Sequence, residues 1–173
     1  CNDFSSRRQW VPEGGEVENR TKKRPQNVAR FMVWATIGIG YKSPLIIMPQ
    51  YRDGEAFRMD ANDYIRKCLS KVVRQISAVG QIFMHDGARI HHSWRVKQYC
   101  ERKDITVLEN WPAYSPDLNP IENVWALLNR RIAEFHAETE AELIYAAQTA
   151  WEQITQAEID NFAASFQSKL QRC

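Results

Sequence analysis

Trp111-Pro-Ala-Tyr-Ser-Pro-Asp-Leu-Asn-Pro-Ile-Glu-Asn-Val-Trp125 is a proline-punctuated loop that runs into a helix and delivers one carboxylate, Glu122, to the helix's first turn. Proline locks its own backbone angle and removes a hydrogen-bond donor, so the loop is stiff and the helix has a defined start. Upstream, Phe83-Met-His-Asp-Gly-Ala-Arg-Ile-His91 sets a second carboxylate, Asp86, at the end of the apolar run Ile82-Phe-Met84. In open α/β sheets reactive groups gather at the carboxyl ends of strands, the position Asp86 takes. Gly87 permits a tight exit from that strand.

Outward from these segments the chain alternates strand and helix signals. Phe31-Met-Val-Trp-Ala-Thr-Ile-Gly-Ile39 reads as a buried strand, Gly40-Tyr-Lys-Ser43 as a turn and Pro44-Leu-Ile-Ile-Met48 as the returning strand of a hairpin. Residues 60–76 predict an amphipathic helix, with Ile65, Cys68, Leu69, Val72, Val73 and Ile76 on one face. Gln81–Met84 and Ile105–Leu108 read as strands, and Ser93–Lys103 as a helix with Trp94, Val96 and Tyr99. This order implies parallel pairing with right-handed crossovers. Past the loop the chain turns helical: one stripe runs from Ile121 through Val124, Trp125, Leu128 and Ile132 to Phe135, and another joins Leu143, Ile144, Ala147, Trp151 and Ile154. Ile159, Phe162, Phe166 and Leu170 predict a last helix. The N-terminal 28 residues read as irregular, with a short strand over Arg7–Val11, a turn at Pro12-Glu-Gly-Gly15 and a basic loop, Arg20-Thr-Lys-Lys-Arg-Pro25.

At 173 residues and 44% hydrophobic, the chain suits one domain with a real core and is too apolar to be disordered. No apolar run approaches the ~18–20 residues that span a bilayer, which excludes a membrane helix. Cys1, Cys68, Cys100 and Cys173 form no CxxC pair, so zinc is not expected and free thiols are. No GxxxxGK[ST] motif is present, and Ser93 and Ser115 lack a Ser-His-Asp setting. The net charge of +2 is unevenly placed: residues 1–103 carry 19 Lys and Arg against 10 Asp and Glu, while residues 104–173 carry 4 against 11. A basic first portion suits a polyanion partner, although short basic runs are often merely solvated.

Each carboxylate has a plain structural reading beside the functional one. Asn119-Pro-Ile-Glu122 resembles a capping box, with an N-cap, proline at N1 and Glu at N3, and on local grounds that reading wins. Asp86 can equally cap a turn or helix start. Taken as a pair, they are hard oxygen donors of the kind Mg²⁺ binds, and two such ions activate an attacking oxygen and stabilise a leaving one, normally with a third carboxylate. His91, five residues after Asp86, is placed to orient a carboxylate or contact phosphate; His85 reads as a pocket-wall residue.

Together these segments resemble the catalytic domain of Tc1/mariner-type transposases of the DDE superfamily. His85-Asp-Gly-Ala-Arg-Ile-His91 is similar to the family's second-Asp motif, which commonly reads Gln-Asp-Asn-Ala-x-x-His, with Gly87 in place of the commoner Asn. Residues 111–125 match its third-carboxylate motif almost position for position, and the 36-position spacing from Asp86 to Glu122 fits the family. Residues 31–48 resemble its central hairpin. The resemblance implies a single α/β domain over residues 1–173: an RNase H-like mixed sheet of five strands, flanked by helices and followed by a C-terminal helical segment. It implies Asp86 and Glu122 as metal ligands and catalytic residues, His91 as the motif histidine, and Mg²⁺ (or Mn²⁺) as cofactor. The implied chemistry is cleavage and strand transfer of double-stranded DNA ends, with a homodimer as a candidate assembly. Arg20, Lys22, Lys23, Arg24, Arg30 and Lys42 are expected to hold DNA phosphates. The first strand and its Asp are expected upstream of Cys1, in a longer parent; Asp3 is the only nearby candidate for that ligand. As it stands the chain is expected to be weak or inactive, and the alternative is a catalytically inactive, transposase-derived DNA-binding protein. The expected location is the nucleus in a eukaryote and the cytoplasm otherwise, with no membrane association.

Overall fold

The structure, a computed structural model, describes residues 31–52, 54–78, 80–109 and 118–170, with side chains to residue 166. Its centre is the expected hairpin, in two short antiparallel ladders. β1 (Val33–Trp34) pairs with β4 (Ile46–Ile47), and β2 (Ile37–Gly38) pairs with β3 (Tyr41–Lys42). The break between them has a chemical cause. Pro44 brings no N–H to the ladder, and the neighbouring Ser43 side chain takes over: its Oγ accepts from Thr36 N at 2.9 Å and donates to Pro44 O at 3.0 Å. Ser43 is buried, and this bond satisfies the N–H of the partly buried Thr36. Tyr41 and Lys42, expected in the turn, are strand residues instead. The turn tightens to Ile39-Gly40, where Gly40 adopts φ 69°, a conformation glycine enters without a Cβ clash.

Strand alternation sends the hairpin's side chains to two cores, one on each face. Trp34, Ile46 and Met48 pack with Tyr64, Leu69, Val72, Phe83, Val96 and Ile105. Ala35, Ile37 and Leu45 pack with Val124, Leu128, Ala150, Trp151, Ile154 and Ile159. A period-two pattern with both faces covered gives helix–sheet–helix layers.

The first face is covered by one continuous helical run in three parts: α1 (Ala61–Asp63), a π-helical segment (Tyr64–Leu69) and α2 (Ser70–Ile76). Asp60 caps its start by accepting from Asp63 N at 2.7 Å. Within the π segment Ser70 N donates to Ile65 O, five residues back. The buried positions are Tyr64, Cys68, Leu69, Val72 and Ile76, so Tyr64 joins a face the 3.6-residue pattern assigned to its neighbour Ile65. Asp63 is 3% exposed and pairs with Arg52 on the hairpin β5 (Tyr51–Arg52) and β6 (Glu55–Ala56). That Arg52 hydrogen bond chiefly holds the Asp63 carboxyl below its ordinary range.

The expected strands at residues 81–84 and 105–108 reduce to one parallel bridge, Phe83 to Val107, with Phe83 N donating to Thr106 O and Leu108 N to Phe83 O, each at 2.8 Å. α3 (Trp94–Arg102) starts at the Ser93 cap and buries Val96, Tyr99 and Cys100; Trp94, its first residue, is exposed. Among the described residues the sheet is therefore smaller than the five strands expected, while its parallel and antiparallel pairings are both present.

The second face is closed by α4 (Pro120–Ala133), α5 (Glu140–Gln153) and α6 (Gln156–Leu170). Trp151 anchors α5, with its ring buried and its Nε1 donating to Ser43 O at 2.9 Å. Cys68 and Cys100 are buried free thiols, and burial pushes Cys68 up to about 12. Among the described residues no helix is long and apolar enough to cross a membrane.

Candidate active site

The parallel bridge at Phe83 fixes the backbone that carries Asp86 three residues later. Leaving the strand, Asp86 closes a local turn with its own side chain: Oδ1 accepts from Ala88 N at 3.0 Å. His91 N donates to Ala88 O at 2.9 Å, which folds the chain back so that the His91 ring returns to Asp86. His91 Nδ1 lies 2.8 Å from Asp86 Oδ1 and 3.2 Å from Asp86 O. Both are acceptors, so this nitrogen carries the proton. The His91 hydrogen bond is the main reason the Asp86 carboxyl is held down to about 2; the Ala88 N–H and the neighbouring imidazoles add to it, against the opposing effect of burial. The Asp86 side chain is 65% exposed and ionised at neutral pH, whereas His91 is nearly covered.

Glu122 arrives from the other side, on α4. Asn119 caps that helix by accepting from Ile121 N at 3.3 Å, and Pro120 supplies the preset first residue. The capping-box reading of Glu122 is not realised: among the described residues no hydrogen bond ties its carboxylate to the Asn119 backbone. α5 supplies the contrast, because there Glu142 accepts from Thr139 N at 3.1 Å while Thr139 Oγ1 accepts from Glu142 N at 3.2 Å. The Glu122 carboxylate is thus left for another use. Burial raises its pKa, and the charge on Asp86 raises it further, so the two carboxylates sense each other.

Both line a cleft of about 450 Å³. Its edges are the strand residues Val33–Ile39 and Gln81–Asp86, and helices from both faces contribute, through Tyr64 and Ile76 on one side and Ile121 and Trp125 on the other. The cleft therefore lies in the sheet layer itself. His85 and His91 also line it.

A family model described as DDE superfamily endonuclease matches residues 1–144. This chain belongs to the DDE superfamily endonucleases, in their Tc1/mariner group. The transposable element Tc3 transposase of Caenorhabditis elegans is 35% identical over 118 residues, covering 65% of this chain and 36% of that protein. The Tcb2 transposase of Caenorhabditis briggsae is 26% identical over 140 residues, 81% of this chain and 50% of that protein. The Tc1 transposase of Caenorhabditis elegans is 32% identical over 92 residues, 53% and 33% of the two chains. The DDE chain described here thus spans half or less of the length of these relatives. Among solved structures, the Mos1 strand transfer complex superposes with a TM-score of 0.69 at 18% identity, over 96% of this chain and 48% of that one. The fold is RNase H-like, as the resemblance implied.

For this DDE chain the structure brings three of the expected site residues together: Asp86, His91 and Glu122. Asp3, Arg20, Lys22, Lys23, Arg24 and Arg30 lie outside the described residues, as does the loop at 110–117. Lys42, expected to reach DNA phosphate, has a different employment. Its ammonium donates to Trp151 O at 2.9 Å and Ile154 O at 2.8 Å, at the C-terminus of α5, and sits 5.6 Å from the Trp151 ring centroid. A cation at a helix C-terminus satisfies orphan carbonyls and the helix dipole. Two site neighbours had weak sequence signals. His85 stacks on His91 and has its pKa pushed down to about 4, mainly by burial and then by His91 and His92; Tyr64 was hidden by the π turn.

The donor set of the DDE site suits a hard divalent cation in kind: one ionised carboxylate and a second whose pKa is raised by burial and then by the first's charge. A cation between them would relieve that repulsion. Among the described residues no group of three His, Cys, Asp or Glu side chains is arranged to hold a metal, so Asp86 and Glu122 are a partial set.

Proposed function

We propose that this chain is the catalytic domain of a DNA transposase, cleaving and transferring DNA ends with Mg²⁺ or Mn²⁺ held by Asp86 and Glu122. The observation that carries the reading is the meeting of these two carboxylates, from separate motifs, in one cleft with Asp86 ionised and its charge felt by Glu122. A bound divalent ion supplies charge neutralisation at phosphate and a lowered pKa for the attacking hydroxyl. Asp86 and Glu122 both line the cleft and would supply its oxygen donors, and His91 fixes one oxygen of Asp86. Double-stranded DNA is the proposed substrate, in keeping with the basic balance of the first 103 residues. Among the described residues the cleft lies between residues 33–39 and 81–86. A further carboxylate there, such as the family's first Asp, would complete the donor set.

Incubation of supercoiled plasmid with the chain and Mn²⁺ tests this. Slow nicking is expected, and it should disappear in Asp86→Ala and in Glu122→Gln. A second reading, a non-catalytic DNA-binding protein, draws on the partial donor set. Salt-sensitive DNA binding without nicking, unaffected by Asp86→Ala, would select it over the enzyme.

A further inference from the structure

Three rings cluster beside Asp86. The His91 imidazole stacks on His85, with centroids 4.8 Å apart and planes at 7°, and packs at a tilt on Tyr64, at 4.3 Å and 36°; Tyr64 and His85 also touch, at 6.4 Å, so the three form a triangle. Each neighbour is itself braced. Tyr64 is fully buried, comes from the π-helical segment and meets Trp34 edge-on at 6.2 Å. His85 meets Phe83, the residue held by the parallel bridge, edge-on at 5.4 Å. The Nδ1 of His85 is buried and has no hydrogen-bond partner among the described residues, so its ring is placed there by packing and not by a polar contact. Two rigid elements thus pack against the His91 ring, His85 on one face and Tyr64 at a tilt, and its Nδ1 edge meets Asp86. Among the described residues both hydrogen bonds to the Asp86 carboxylate fall on Oδ1, from His91 and from Ala88.

We propose that Tyr64 and His85 are positioning residues that clamp the His91 ring, fixing its Nδ1–H on Asp86 Oδ1 and thereby directing Oδ2 of Asp86 toward a divalent cation. This rests on the reading of Asp86 as a metal ligand. The physical case is that an imidazole free of packing rotates about its side-chain bonds and exchanges tautomers, whereas one packed against two rigid rings keeps one edge in one place. Hydrogen-bond partners of metal-ligating carboxylates act in this way, and losing them weakens metal affinity by roughly 10–100-fold. A π turn in a helix is a recurrent way to re-aim one side chain at a functional site; here it aims Tyr64.

The test uses the full chain and two readouts. Side-chain ¹⁵N shifts of His91 report which nitrogen is protonated, and calorimetric titration with Mn²⁺ reports affinity. The wild type is expected to show a protonated Nδ1. His85→Phe, which keeps a ring face and discards both nitrogens, should preserve the tautomer and the wild-type affinity. His85→Ala should mix the tautomers and weaken Mn²⁺ by about 10-fold. If His85→Ala fails to fold, His85→Leu replaces it, because leucine fills volume and offers no ring face. An unchanged His91 tautomer in the Ala or Leu variant overturns the proposal, as does a Phe variant that loses as much as they do. Absence of Mn²⁺ binding to the wild type would overturn the metal reading alone, and the tautomer readout would still decide the clamp.

Discussion

Replacing Lys42 with methionine separates a structural cation from a DNA contact. The ammonium makes two short, charge-assisted hydrogen bonds to Trp151 O and Ile154 O. Such bonds contribute about 1.5–3 kcal/mol each when buried, and a cation in a helix's last turn adds about 0.3–1 kcal/mol. Lys42 is only half-buried, so water replaces part of what is lost, and methionine keeps the aliphatic stem against Trp151. A net loss of about 2 kcal/mol follows, or a fall in Tm of roughly 4–8 °C for a chain of this size. The assay pairs thermal denaturation with the salt dependence of DNA binding. A phosphate contact contributes a slope of about 0.9 in log K against log salt. Lys42→Met should lower Tm and leave that slope unchanged. A Tm within about 1 °C of wild type, with the slope reduced by about one, would refute the capping argument and return Lys42 to the DNA.

Other outcomes follow from the same structure. The Asp86 carboxyl is held below its unfolded value, so its contribution is fully present above about pH 4, and is lost as pH falls toward about 2. With the side chain 65% exposed, screening reduces this to about 1 kcal/mol, which His91→Ala should remove from an acid-unfolding curve. Trp151→Ala empties the second core and strips the donor from Ser43 O, and should cost about 3–5 kcal/mol in urea unfolding. Thr139→Ala breaks one half of the capping box of α5 and should cost about 1 kcal/mol by the same measurement, with no change in Mn²⁺ affinity.

The hairpin, the helices and the two carboxylates were legible in the chain because each rests on a local code. Alternation of Trp34, Ala35 and Ile37 marks a strand covered on both faces, and Asn119-Pro120 marks where α4 begins. Less legible were features that depend on a partner far along the chain. The exposed hairpin of Tyr51–Arg52 with Glu55–Ala56 carries no apolar period, and its anchor is the buried Asp63. The ladder break at Thr36 depends on the Ser43 hydroxyl beside a proline that has no N–H. Trp94 is exposed because it stands two positions before Val96 and five before Tyr99, on the other side of α3 from the buried residues.

The site divides along the same line. Family membership, the identity of Asp86 and Glu122 and the turn that carries each are properties of short segments, and short segments are held by their own hydrogen bonds. Whether Glu122 caps its helix, whether Lys42 is free for phosphate and how the His91 ring is aimed are decided by tertiary packing. Each is a competition for one side chain between two surroundings: the Asn119 backbone or the cleft for Glu122, solvent or the end of α5 for Lys42, open water or the rings of Tyr64 and His85 for His91. Only the folded chain sets the distances that settle those competitions.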